Sequence, residues 1–249
     1  MCTVTWRTSS DGFEVFFNRD ERMTRAAEQP PRIEERAGVR FLAPRDGAEG
    51  GSWLGANDRG LGIALLNRYV PDTGPVREEF RSRGLLLLDL LDALQAAEVS
   101  ERLAETDLER YRPFSLLALE PHGRARLFEW TGYKLEEDAD PGRHMPLASS
   151  SFDQSLARVH RKQLFTDMLA AAGGETSDVM LSAFHHSHAG GPGPFSVCMH
   201  RSDAETRSYT RLIVRPREVE MHWRPGAPCS IAADQHFLLP RRQKVAADR

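Results

Sequence analysis

An α+β layered sandwich is the architecture the sequence predicts, and two observations carry it. β-rich runs open and close the chain, and the longest amphipathic helical patterns lie between them. With 249 residues, 40% of them hydrophobic, the chain can bury one substantial core. Residues 1–249 therefore read as a single domain, with 235–249 as a loose tail.

The elements follow in order. Cys2–Arg7 and Phe13–Phe17 are β-rich runs joined by Ser9-Ser10-Asp11-Gly12, and Asp-Gly between two such runs signals a hairpin. The chain is thus expected to begin directly inside a sheet. A polar, Pro-containing stretch to Pro44 reads as loop with short strands. Ser52–Ala56 and Leu61–Asn67 form a second hairpin around Asn57-Asp58-Arg59-Gly60, and Gly50-Gly51 before Trp53 signals a close backbone approach or a tight turn. Pro71–Arg77 reads as a loop. Glu79–Ala97 carries leucines at 86, 87, 90, 91 and 94, spaced for one buried stripe of a helix, and Ser100 opens a second short helix. Phe114–Leu119 and Arg124–Trp130 make a third hairpin. Asp153–Ala172 is a long helix with Asp153 as its cap and Leu156, Val159, Leu164, Met168 and Leu169 as its apolar positions. Asp178–Phe184 is a shorter helix. Phe195–His200, Ser208–Arg215 and Glu218–Trp223 return to strands, and the basic Arg241-Arg242-Gln243-Lys244 reads as a frayed end.

Composition excludes several classes. The net charge is −3, and the arginines are interspersed with acids, so a nucleic-acid partner is not expected. No basic start followed by an apolar run marks a signal peptide, and the longest apolar run, from Leu85 to Leu94, is broken by Asp89 and Asp92. A soluble cytoplasmic protein without membrane partners is expected; homo-oligomerisation is left open. Cys2, Cys198 and Cys229 are odd in number and lack CxxC spacing, which argues against a disulfide framework and against a zinc site.

Cys2 carries the chemistry. Initiator methionine is normally removed before a small residue, which would give Cys2 both a thiol and a free α-amine. The α-amine has a reference pKa of roughly 7.7–8.0, so a useful neutral fraction can take the thiol proton and return it to a leaving group. A hairpin with a short turn brings the end of its second strand beside the start of its first, which puts Arg19 and Asp20 near Cys2. A guanidinium there lowers a thiol's pKa, and a carboxylate can orient an ammonium. The same residues also fit a solvated salt-bridge cluster after a strand.

Met1-Cys2, Asn18-Arg19-Asp20-Glu21, Glu49-Gly50-Gly51-Ser52-Trp53-Leu54-Gly55 and Leu66-Asn67-Arg68-Tyr69 together resemble the NRDE family, the group of the transport-and-Golgi-organisation type 2 proteins. The resemblance extends to Leu147–Asp153, Ser196-Val197-Cys198 and Thr206-Arg207-Ser208. It implies the four-layer αββα sandwich of the N-terminal nucleophile hydrolases. It also implies a cysteine amidase or acyltransferase acting on a carbon–nitrogen amide or related acyl bond of a small-molecule substrate. In that framework Cys2 is nucleophile and base, Arg19 and Asp20 are electrostatic supports, and Asn67 is the oxyanion donor. Asn18 holds Arg19 or caps a turn. Ser149 stands where related sequences carry an asparagine, so a second oxyanion contact there would come from a shorter hydroxyl. Arg207 either faces the site or lies on a solvent face, and Trp53 either walls the substrate site or belongs to the core.

His185-His186-Ser187-His188 and His200 lack the HExxH spacing of two metal ligands on one helix face, so no metal is expected and the run reads as a loop. No cofactor is implied. The rival reading is a non-catalytic carrier of haem or an acyl-type lipid in the same pocket, with a histidine as haem ligand. Cys198 reads as core, and Cys229 has no partner recognisable in the sequence.

Overall fold

The computed structural model describes residues 2–69 and 80–242. The loop expected at Pro71–Arg77, the start of the helix expected at Glu79 and residues 243–249 lie outside them.

Strands β1 (Cys2–Thr8) and β2 (Phe13–Arg22) form the first hairpin, closed by the Ser9 amide on the Gly12 carbonyl at 2.9 Å. β2 runs on through Asn18–Glu21, so these polar residues lie inside the ladder, not beyond it. The stretch expected to be mostly loop is instead a hairpin of β3 (Gln29–Arg36) and β4 (Val39–Arg45). Its turn residues Ala37 and Gly38 both have positive φ (47° and 76°), as mirror-image hairpin turns require. β5 (Leu54–Asn57) and β6 (Gly62–Asn67) follow as expected.

The leucine-rich segment divides into α1 (Arg83–Leu90) and α2 (Ala96–Glu105) where one helix was expected to Ala97. The cause is Asn57, whose buried amide donates to the carbonyls of Leu91 (2.9 Å) and Ala93 (2.7 Å) and draws the backbone out of the helix. β7 (Phe114–Leu119), β8 (Ala125–Trp130) and β9 (Leu135–Asp138) come next, then the short β10 (Leu147–Ser149). α3 (Gln154–Ala171) is capped by Asp153, which accepts from the Leu156 amide at 2.9 Å. α4 (Asp178–His186) is followed by β11 (Ala204–Val214), β12 (Glu218–Pro225) and β13 (Gln235–Pro240).

The strands form two antiparallel sheets. One has the order β10-β1-β2-β11-β12-β13, the other β3-β4-β5-β6-β7-β8-β9. Alternate side chains of both, among them Val4, Val15, Phe17 and Leu212 against Leu42, Leu54, Leu66 and Leu117, meet in one core between the sheets. The outer face of the seven-stranded sheet packs Ile63, Leu116 and Phe128 against Leu87, Leu90 and Val99 of α1 and α2. The outer face of the six-stranded sheet packs Phe16 and Tyr209 against Phe165 of α3 and Leu181 and Phe184 of α4. Four layers result, helices outside and sheets inside.

Three further expectations are corrected. Leu156 and Val159 of α3 are exposed (56% and 67%), and the buried face is instead Ala157, Arg161 and Phe165, because Arg161 reaches into the sheet to pair with Asp20. Residues 195–200 do not form a strand. Their carbonyls are taken by side chains: Asn18 donates to Val197 (3.0 Å) and Arg161 to Ser196 (2.9 Å), leaving one isolated bridge from His200 to Glu205. Gln235–Pro240 is not a loose tail but the edge strand β13, and Arg242 beyond it pairs with buried Asp58 at 3.0 Å. Among the described residues no helix is long and apolar enough to cross a membrane.

Candidate active site

Alternation along β1 and β2 sorts the polar residues onto two faces. Cys2, Val4 and Trp6 point into the space between the sheets, whereas Thr3 and Thr5 touch Arg161 of α3 and His185 of α4. The antiparallel register sets Cys2 opposite Arg19 on β2 and opposite Ser149 on β10. Cys2 is 7% exposed and lies in the wall of a cleft of about 750 Å³.

Arg19 is buried and held from three sides. It donates to Glu28 at 3.0 Å, pairs with Asp46, and lays its guanidinium over the Trp53 ring 4.5 Å from the centroid. Asp46 also accepts a fork from Arg25 at 2.8 and 2.7 Å. Burial pushes the Asp46 carboxyl up, but the Arg25 hydrogen bonds, the Glu49 amide and the Arg19 and Arg25 charges together hold it below the ordinary carboxylate range. Arg19 thus reaches Cys2 with much of its charge already matched by carboxylates. Burial pushes the Cys2 thiol up; the N-terminal charge and Arg19 oppose this, and Asp20 and Glu21 add to it. A thiol in this position is protonated at neutral pH and needs a base.

Ser149 is bonded to the backbone of Cys2: the Cys2 nitrogen donates to its Oγ at 3.0 Å. That nitrogen is the atom that would become the α-amine on loss of Met1. Asn67 ends β6 at the same cleft, half-buried; among the described residues its side-chain amide makes one long contact, to the Tyr69 hydroxyl at 3.4 Å. Trp53 belongs both to the inter-sheet core and to the cleft wall. The close backbone approach expected at Gly50-Gly51 is where α1 starts: a Cβ on Gly51 would stand 2.5 Å from the Gly84 backbone.

Two expected site residues, Asp20 and Asn18, bond to the helix-side layer. Asp20 is buried, 3.3 Å from Arg161 and accepting from the Thr206 hydroxyl at 2.7 Å, and it also lines the cleft beside Cys2. Asn18 does not touch Arg19 or a ligand space. Its amide donates to the carbonyls of His185 and Val197, and its oxygen faces His185 Nδ1 at 2.9 Å. With the Asn18 oxygen as acceptor, Nδ1 carries the proton and Nε2 accepts from Thr5 at 2.9 Å. His185 lies at the end of α4 and not in a loop; burial, with the His186 and Arg161 charges, pulls it well below the usual histidine range. Arg207 occupies a bulge in β11, donates to the Met23 carbonyl at 3.2 Å and does not line the cleft.

The sequence gives no signal for the opposite wall. Arg81, Arg83, Arg110 and Arg112 line the cleft, and none makes an ion pair among the described residues. Arg83 donates to the Pro113 carbonyl at 2.8 Å; burial, reinforced by the Arg112 charge, pulls its guanidinium down to about 10. Arg81 and Arg112 lie over Tyr111 and Phe80 at 5.7 and 5.2 Å. No histidine lines the cleft among the described residues. Two groups of His, Cys and Glu side chains gather elsewhere: His188, Cys198, His200 and Cys229 converge, as do Glu220, His222 and His236. The first group gives Cys229 the neighbours that its sequence context does not reveal.

Solved structures share this arrangement at low identity. A conjugated bile acid hydrolase from Clostridium perfringens, in its C2A mutant form, superposes with a TM-score of 0.55 at 12% identity, covering 96% of this chain and 92% of its own. Penicillin V acylase from Agrobacterium tumefaciens gives 0.55 at 11%, covering 96% and 86%. The Caenorhabditis elegans ortholog of N-acylethanolamine-hydrolyzing acid amidase gives 0.57 at 13%, covering 85% and 92%. These likenesses show the fold, the αββα sandwich of the N-terminal nucleophile hydrolases. Comparison with curated protein sequences gives no match. The family model described as Transport and Golgi organisation 2 matches residues 1–192, and the chain belongs to that family.

Proposed function

We propose that the protein is an N-terminal-cysteine hydrolase or acyltransferase that cleaves a carbon–nitrogen amide, or a related acyl bond, in a small molecule bearing an anionic group. The observation that carries this reading is Cys2 in the wall of a roomy polar cleft, its nitrogen held by Ser149 and its strand partner Arg19 locked by carboxylates. The cleft volume of about 750 Å³ suits a small-molecule ligand.

With Met1 removed, the Cys2 amine takes the thiol proton as sulfur attacks the acyl carbon. The oxyanion so formed lies within the cleft that Asn67 borders, and loss of one such donor typically costs about 100- to 1000-fold in rate. Collapse expels the amine, which receives the proton, and leaves a thioester on Cys2. Water or another nucleophile then releases the acyl group and regenerates the thiol. Arg81, Arg83, Arg110 and Arg112, without an ion pair among the described residues, give that wall of the cleft positive charge suited to a carboxylate, sulfonate or phosphate on the substrate. A haem carrier using a histidine ligand finds no support in a cleft whose described wall has none.

The test is turnover of a panel of N-acyl compounds with and without an anionic group, using wild type, Cys2→Ala and Cys2→Ser. Turnover that favours the anionic members and is lost in Cys2→Ala supports the reading. Full turnover by Cys2→Ala would rule the mechanism out.

A further inference from the structure

On the helix side of the six-stranded sheet, four side chains from separate segments turn their soft donor atoms toward one point. His188 follows α4, Cys198 and His200 precede β11, and Cys229 lies between β12 and β13. The donor atoms all lie within 4.8 Å of one another. His200 Nε2 is 3.5 Å from Cys198 Sγ, 3.4 Å from Cys229 Sγ and 3.1 Å from His188 Nε2. A tetrahedral zinc ion with Zn–S of about 2.3 Å and Zn–N of about 2.0–2.1 Å sets S and N about 3.5 Å apart and two N about 3.3 Å apart. The three separations from His200 match three edges of that tetrahedron, and the remaining three lie within 4.8 Å, so the four donors can close around a cation with small movements.

We infer that His188, Cys198, His200 and Cys229 form a structural Cys2His2 zinc site. Two thiolates and two neutral imidazoles balance the charge of Zn2+, which suits a site graded from fully buried at Cys198 to exposed at Cys229. On binding, the two thiols release their protons and each sulfur and each Nε2 supplies an electron pair to the ion. Four protein ligands leave no open position, so the role is structural.

The fold gives such an ion something to hold. Residues 187–200 run across the helix-side layer without ladder pairing, and their fastenings are the Ser187–Cys198 backbone bond at 3.1 Å, side-chain contacts and the His200–Glu205 bridge. Between the ligands Cys198 and His200, the Met199 amide donates to Thr206 Oγ1 at 2.9 Å, and that hydroxyl donates to Asp20 at 2.7 Å. An ion joining this segment to the Cys229 loop would brace β2 from behind, at the end that carries Arg19. The inference does not depend on chemistry at Cys2.

Cobalt substitution of the reduced full-length chain tests it, in a Cys2→Ala background so that the N-terminal thiol cannot contribute. Expected are tetrahedral ligand-field bands and a thiolate-to-cobalt charge-transfer band that saturate at one equivalent and bleach on adding zinc. Cys229→Ser changes an exposed residue and should spare the fold, as circular dichroism would check. It should diminish the charge-transfer band and weaken zinc binding by more than about 100-fold, since even outer-shell changes typically cost 10- to 100-fold. His188→Ala should weaken zinc binding likewise, and chelation should lower the melting temperature of the parent but not of either variant. No charge-transfer band, an octahedral spectrum, or an unchanged band in Cys229→Ser would overturn the site. So would a Cys198–Cys229 disulfide that, once reduced, still binds no cobalt.

Discussion

Arg161→Ala is the substitution whose cost the structure fixes most directly. Arg161 and Asp20 have side chains 1% and 0% exposed, and their 3.3 Å pairing is joined by Arg161 bonds to Thr3 Oγ1 (2.5 Å) and the Ser196 carbonyl (2.9 Å). Removing the guanidinium leaves a carboxylate buried with the Thr206 hydroxyl still bound, and strips a carbonyl of its donor. Breaking a buried pair from one side costs about 3–5 kcal/mol. At about 2–4 °C per kcal/mol for a chain of this size, the melting temperature should fall by about 6–20 °C. Thermal and urea denaturation of Arg161→Ala, Asp20→Asn and the double variant provide the assay. The double variant should lose less than the sum of the singles, with a coupling of about 0.5–3 kcal/mol. An Arg161→Ala cost under about 1 kcal/mol, or strict additivity, would refute the assignment of Asp20 to the helix-side network.

Other expectations follow from the same geometry. His185 is buried neutral, so unfolding takes up a proton below the unfolded histidine pKa of about 6.5; its contribution is full above that pH and declines as pH falls, by up to about 1.4 kcal/mol per unit. In His185→Gln that part of the stability slope between pH 7 and 5 should be absent, and an unchanged slope by urea titration would contradict it. Arg112→Ala should raise KM for anionic acyl substrates by about 10-fold or more, as loss of a charge-assisted contact does, and leave neutral analogues unaffected. Equal loss for both substrate types would remove the anionic-group reading. Ser149→Ala removes the hydrogen bond on the Cys2 nitrogen and should slow acylation of Cys2 about fivefold, the effect of about 1 kcal/mol; single-turnover kinetics would check this.

Local signals in the sequence carried the parts of the fold that local chemistry decides. Asp-Gly in the first turn, the Asp153 cap and the glycine pair at 50–51 each describe what their own neighbours do, and each matches the structure. The hairpin logic also puts Arg19 opposite Cys2. What failed was decided at long range. Asn57 splits the leucine helix by seizing carbonyls 34 and 36 residues away. α3 buries Arg161 and exposes Leu156 and Val159 because its partner is a carboxylate on β2. The parity of β2, and with it the turning of Asn18 toward His185, depends on which sheet face meets the helices, which the four residues Asn18–Glu21 do not encode by themselves. The arginine wall and the His–Cys cluster come from segments brought together only by the folded chain, so no spacing announces either.

The most direct measurement is intact-protein mass spectrometry with peptide mapping, before and after brief exposure to a mild thiol electrophile. Loss of Met1 and labelling at Cys2 faster than at Cys198 and Cys229 is the expected result for an N-terminal nucleophile. Retained Met1, or Cys2 labelled no faster than the other two, would contradict it.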